Sequence, residues 1–172
     1  MLHVGSHIPR KRIDVLVDVF AAVRARLPEV KLVQVGPTWS LELATRISQL
    51  GVAGSVVQMR GLSRGQLAAL YRRAAVVLVP SEAEGFGLPV IEALACGAPV
   101  VASDIPTLRE AGGTAAVYCP IGDVPAWADA VLRVVSDPAA APPKEVGLAH
   151  ARQFSWREHA RVIGEAYLRL AG

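Results

Sequence analysis

The run Val76-Val77-Leu78-Val79 is apolar at every position and is stopped by Pro80. A strand with one wet face alternates apolar and polar residues. One without alternation is buried on both faces, as in a parallel sheet covered by helices. Short apolar runs recur at residues 2–5, 31–35, 56–59, 99–102 and 115–119. Between them the period changes to three and four. Ile13, Leu16, Val17, Phe20, Val23 and Leu27 form one helical face that ends at Pro28, and Leu43, Ile47 and Leu50 form another before Gly51. Ser63-x-x-Gln66 has the form of a capping box opening a helix through Leu67, Leu70 and Tyr71, and Ser155-x-x-Glu158 has it again before Val162, Ile163, Ala166, Tyr167 and Leu170. Shorter helices are expected from Leu88-Pro89, around Leu108 and Glu110, and over residues 124–135. Strands alternating with helices predict an α/β fold: a six-stranded parallel sheet, wound right-handedly and covered on both faces.

A chain of 172 residues with 52% hydrophobic content is long enough to bury the core of one domain. Residues 137–143, Asp-Pro-Ala-Ala-Ala-Pro-Pro, read as a linker to the C-terminal helices. The net charge of +3 comes from dispersed arginines, with no basic run longer than Arg10-Lys11-Arg12, so nucleic acid is not an expected partner. The two cysteines, Cys96 and Cys119, lie far apart and read as small buried hydrophobes of a reducing compartment. Four scattered histidines and no acidic or thiol cluster argue against a metal. No apolar run reaches membrane-spanning length and no signal-peptide pattern opens the chain, which predicts a cytoplasmic protein.

In a doubly wound sheet ligands bind beyond the carboxyl ends of the strands. The segments to inspect are therefore 5–12, 36–40, 59–62, 80–88 and 102–106. The first carries Arg10-Lys11-Arg12 at the start of a helix, where the dipole disfavours cations and three of them invite an anion. A solvated basic turn balanced by Asp14 is the plainer account. The fourth carries Gly85-Phe86-Gly87, followed by the first turn of a helix. Its amides form a phosphate site, unless the glycines serve only a tight turn. Glu92 is the one charged residue on an otherwise apolar helix, so it needs donors, or else it complements the helix dipole. Glu84 projects from the preceding loop, Glu82 is expected in solvent, and His7 is at most a loop contact. Ser81 and Ser103 lack a nucleophile elbow, so no hydrolase triad is supported.

The string Val4-Gly5-x4-Arg10-Lys11, Val35-Gly36, Gly61-x5-Leu67-x3-Tyr71, Pro80-Ser81-x2-Glu84-Gly85-Phe86-Gly87-Leu88-Pro89-x2-Glu92-Ala93-x3-Gly97-x-Pro99 and Phe154-Ser155-Trp156 resembles a known family. It is that of the C-terminal, donor-binding half of retaining glycosyltransferases with GT-B architecture, the group 1 glycosyl transferases. The resemblance runs from Val4 to about Tyr167. It implies a Rossmann-like three-layer α/β/α sandwich, one half of a GT-B fold, that binds a nucleoside diphosphate sugar as substrate and uses no cofactor and no metal. Lys11 would neutralise the diphosphate with Gly5, Ser6 and Arg10 beside it, and the Gly87 and Leu88 amides would hold the distal phosphate. Glu84, flanked by Gly85 and Phe86, would face the sugar near the reacting carbon, so Lys11 and Glu84 are the expected catalytic pair. Glu92 would accept the ribose hydroxyls, and Met59 and Arg60 would line the base.

Many relatives carry an arginine where this chain has Ser6, so either Arg10 or Arg12 compensates or donor affinity is lower. The resemblance also implies a missing N-terminal acceptor domain, an isolated half that transfers nothing by itself, and peripheral contact of the full-length protein with the inner face of the membrane. The apolar face of the last helix, with Trp156 and Tyr167, is an expected surface for self-association. A non-catalytic nucleotide-binding or assembly module and half of a sugar-nucleotide epimerase remain the alternative readings.

Overall fold

The structure, a computed structural model, describes residues 1–171. Six parallel strands form one sheet: β1 (Leu2–Val4), β2 (Leu32–Val35), β3 (Val56–Met59), β4 (Val77–Val79), β5 (Val100–Ser103) and β6 (Val117–Cys119), in the spatial order β3-β2-β1-β4-β5-β6. The chain starts in the middle of the sheet, winds outward to β3, returns to place β4 beside β1, and winds outward again to β6. Leu2 pairs with Val33 on one side and with Val77 on the other. The order reverses between β1 and β4, which opens a crevice at their carboxyl ends. The six-stranded parallel α/β sheet expected from the strand and helix periods, and the Rossmann-like sandwich implied by the family resemblance, are observed.

The unbroken apolar character of β4 has its cause in packing on both faces. Leu78 and Val101 face one core, with Leu16, Phe20 and Val23 of α1 (Ile13–Arg26) and Trp127, Val131 and Val134 of α6 (Val124–Ser136). α2 (Leu41–Gln49) adds Ile47 to this side. Val77, Val79 and Val100 face the other core, with Tyr71 of α3 (Arg64–Arg73), Val90, Ala93 and Leu94 of α4 (Leu88–Ala95), and Leu108 of α5 (Pro106–Gly112). The buried Trp127 satisfies its indole N–H on the Pro120 carbonyl at 2.8 Å.

Residues 137–143 contain a 3-10 turn at Pro138–Ala140, which begins where the Asp137 carboxylate accepts from the Ala139 amide at 2.9 Å. Two helices follow. α7 (Lys144–Ala151) lies against α4, with Gly147 close to Leu94. α8 (Trp156–Ala171) leaves Trp156, Tyr167, Leu168 and Leu170 exposed. The two capping boxes differ. At Ser63 both reciprocal bonds are present, whereas at Ser155 the hydroxyl accepts from the Glu158 amide while the Glu158 carboxylate turns to Arg161. Cys119 is buried as expected, and Cys96 is only half-buried. Among the described residues no helix is long and apolar enough to cross a membrane.

Candidate functional site

The loop after β1 is shaped by close backbone approach. Gly5 donates to the Val35 carbonyl at 3.0 Å, and its own carbonyl accepts from Gln34 Nε2 at 3.0 Å. A Cβ on Gly36 would lie 2.2 Å from that carbonyl, so only glycine closes β2 here. The chain then makes a 3-10 turn at Pro9–Lys11 and enters α1 through Arg12, whose φ of 48° and ψ of 50° are left-handed. Arg12 is the sole non-glycine residue with positive φ among the described residues. Strain of this kind collects where surroundings over-determine the backbone, and it sits directly beside Lys11.

From the other side of the crevice, β4 delivers Pro80 and the buried Ser81, then the loop carrying Glu82 to Gly87. The two loops are tied together. The Glu82 amide donates to the Arg10 carbonyl at 2.9 Å, and Arg10 Nη1 donates to the Ala83 carbonyl at 2.7 Å. Glu84 is the centre of the contact: its Oε1 accepts from Lys11 Nζ at 2.5 Å and from Ser81 Oγ at 2.8 Å, and its Oε2 accepts from Arg10 Nη1 at 3.0 Å. The Lys11 and Glu84 side chains are only 10% and 6% exposed. Burial pushes the Glu84 carboxyl upward, but the bonds from Lys11, Ser81 and Arg10 outweigh it and hold the group below the ordinary carboxylate range.

Beneath these loops lies His3, 1% exposed and pushed down to about 3 first by burial and then by the Lys11 charge, so it is neutral at physiological pH. His3, Gln34 and Gln58 occupy one register across β1, β2 and β3, and Gln58 Nε2 donates to Gln34 Oε1 at 3.2 Å. His7 stacks on Trp39 with ring centroids 4.7 Å apart.

Gly87 has φ of 83° and opens α4. A side chain there would meet Ala111 Cβ at 2.8 Å, so conformation and space both demand glycine. Its amide and that of Leu88 belong to the helix end whose first N–H groups lack intrahelical acceptors. Gly85 has no such crowding, and Phe86, half-exposed, meets Phe154 edge-on at 6.0 Å.

Glu92 requires a correction. The need for donors inferred from an otherwise apolar helix presumes burial, yet Glu92 is exposed. Val90, Ile91, Ala93 and Leu94 face the core, while Leu88, Glu92 and Ala95, at i, i+4 and i+7, form the outward stripe. The polar partner of Glu92 within the protein is Tyr71, whose hydroxyl donates to Oε2 at 3.0 Å.

Other expected residues are placed as follows. Ser6 is exposed, and Met59 is half-buried with its carbonyl accepting from Gly36 at 3.0 Å. Arg60 is exposed, 3.4 Å from Thr38 Oγ1. Of the two arginines weighed as replacements for the one missing at Ser6, Arg12 is committed to Asp14 and Glu82, whereas Arg10 reaches Glu84. Lys11, Arg10 and Glu84 are thus brought together, Gly87 and Leu88 follow three and four residues on, and Met59 and Arg60 stand at the end of β3, two strands from β1. Sequence reasoning missed Ser81 as a Glu84 partner, Tyr71 as a Glu92 partner and His3 as the buried floor. The signals available were the position of Ser81 at the end of an unbroken apolar strand and the place of Tyr71 in the family string.

The model of the family described as glycosyl transferases group 1 matches residues 1–137. D-inositol 3-phosphate glycosyltransferase of Mycobacterium leprae is 34% identical over 166 residues, covering 90% of this chain and 39% of the relative. Among solved structures, sucrose-phosphate synthase from Thermosynechococcus elongatus superposes with a TM-score of 0.85 at 29% identity, over 98% of this chain and 44% of that one. HepE of Anabaena, solved in complex with UDP, has the same fold, with a TM-score of 0.84 at 23% identity over 98% of this chain and 48% of that one. The chain therefore spans about two fifths of the length of the curated relatives it matches.

Proposed function

Because the chain belongs to the glycosyl transferases group 1 family, we propose that it is the donor-binding half of a retaining glycosyltransferase. The full-length protein moves a hexosyl group from a nucleoside diphosphate sugar to a sugar or lipid acceptor, and this half transfers nothing alone. The observation that carries the reading is the knot at the β1–β4 crevice, where Glu84 joins Lys11 and Arg10 to the loop that runs into the Gly87 helix end.

In that reading Lys11 and Arg10 exchange Glu84 for the donor diphosphate, and the Gly87 and Leu88 amides hold the distal phosphate. Cationic side chains and a helix end stabilise the charge that grows on the leaving diphosphate. Glu84, released from Lys11, faces the sugar ring. Glu92 takes the ribose hydroxyls, and the backbone around Met59 and Arg60 takes the base. Retention follows from displacement on the face that the diphosphate leaves. The acceptor is bound by the part of the protein outside this chain, and the exposed apolar face of α8 is the surface through which this half associates with further protein, including a second copy.

The test is titration of the chain with UDP, GDP and ADP followed by thermal melting. A nucleotide at 100 times its dissociation constant stabilises by about 2.7 kcal/mol. For a domain of this size that is a rise of roughly 5–10 °C. No shift with any of the three at millimolar concentration overturns the donor-site reading.

A further inference from the structure

We infer that Tyr71 is a positioning residue for Glu92, holding that carboxylate in the orientation in which it receives the vicinal hydroxyls of a nucleotide ribose. The inference rests on the donor-site reading above and adds to it a residue from a different helix.

Tyr71 lies in the last turn of α3 and is 1% exposed, with its ring in the core that includes Val77, Val79 and Leu94. α3 is itself held at its start by the complete Ser63–Gln66 capping box. A ring anchored this way has one place to put its hydroxyl, and that place is 3.0 Å from Glu92 Oε2. Burial first, and then the Glu92 charge, push the phenol far above its ordinary range, so the group stays a donor at every physiological pH.

Glu92, by contrast, stands exposed on the outward stripe of α4. An exposed glutamate samples many rotamers, and binding a ligand through it costs that freedom. The Tyr71 bond removes part of the cost in advance. It engages Oε2 alone, and among the described residues Oε1 has no protein partner, which leaves acceptor capacity on both oxygens for two hydroxyl donors. A phenol that serves only the fold can be satisfied by a backbone carbonyl, as the Tyr118 hydroxyl is by donating to Gly113 at 2.9 Å.

The experiment compares wild type, Tyr71→Phe, Glu92→Ala and the double variant in calorimetric titrations with UDP, 2′-deoxy-UDP and inorganic pyrophosphate. Loss of the pre-paid Glu92 orientation predicts that Tyr71→Phe weakens UDP about twofold to tenfold. Pyrophosphate affinity is expected to be unchanged, the preference for UDP over its 2′-deoxy form to shrink, and the double variant to bind UDP no more weakly than Glu92→Ala. Equal weakening toward pyrophosphate, additive losses in the double variant, or a Tyr71→Phe chain that fails to fold each makes the hydroxyl a structural group and overturns the inference. If wild type binds UDP and Glu92→Ala weakens it while Tyr71→Phe does not, the positioning role fails and the donor site stands. If wild type binds no nucleotide, both fall.

Discussion

Glu84 and Glu92 are eight residues apart, on either side of one helix start, and the protein treats them in opposite ways. Glu84 is folded back into the crevice, its oxygens shared among an ammonium, a guanidinium and a hydroxyl, over a buried neutral histidine. Glu92 is held out to solvent by one phenol. The first is a charge balanced in advance, so under the proposed donor reading a ligand anion would have to take over its cations. The second is a charge left available, with only its direction constrained. In the proposed donor site a single motif would thus contain one group that a ligand displaces and one that it meets, and the two sides should respond differently to the same kind of damage.

The hardest test of that contrast is Lys11→Ala. It leaves Glu84 with Arg10 and Ser81 and removes the least exposed cation of the site. The expected loss is on the order of 3 kcal/mol in urea unfolding, together with at least a tenfold loss of UDP affinity. Unchanged stability would mean that the Lys11–Glu84 pair is not formed in solution. Acid should attack the same side next. His3 has a folded value of about 3 against 6.5 in the unfolded chain, so the unfolded state binds the extra proton between those values. The stability that neutral His3 contributes is present above pH 6.5 and falls by about 2 kcal/mol by pH 5. Glu84, held below its ordinary value of 4.5, contributes stability that is lost only at pH values lower still. Urea titrations from pH 7 to 5 should show the slope in wild type and a flat line in a folded His3→Gln chain. An equal slope in both places the proton elsewhere.

Glu84→Gln separates binding from stability. With no carboxylate competing for Lys11 and Arg10, UDP should bind several-fold more tightly, while the fold loses roughly 1–2 kcal/mol as a charge-assisted bond becomes a neutral one. Weaker UDP binding in this variant would remove the exchange of partners from the account. The smallest effect on the fold is expected for Glu92→Ala. Losing the acceptor of the buried Tyr71 hydroxyl costs the fold about 1 kcal/mol, the low end of the range for such a group, yet UDP affinity should fall about tenfold. A collapse of the fold with no binding defect would erase the difference between the two glutamates.

Several of these parts could be read along the chain. The unbroken run of β4, the proline that ends it and the glycine that opens α4 are local signals, because each reports the backbone of its own segment. The Ser63 capping box was legible for the same reason, and the family pattern singled out Lys11 and Glu84, which the fold brings together. Periodicity failed where packing decides. α4 is apolar enough to suggest burial all round, but a helix laid on a sheet hides one face, and Glu92 fell on the other. At Ser155 the second half of the capping box was lost to Arg161, a neighbour one turn away that competes for the same carboxylate.

What the sequence by itself determined is therefore the alternation of elements, the α/β class and the loops in which chemistry could sit, since hydrophobic period and turn residues act over a few positions. What only the tertiary structure decided is which side chains meet. Lys11 and Glu84 are 73 residues apart, and Tyr71 and Glu92 are 21 apart on different helices. Those encounters exist because the sheet order reverses between β1 and β4 and because α3 and α4 share one face of it. No local pattern carries that information, because contacts between distant segments are set by how the layers pack.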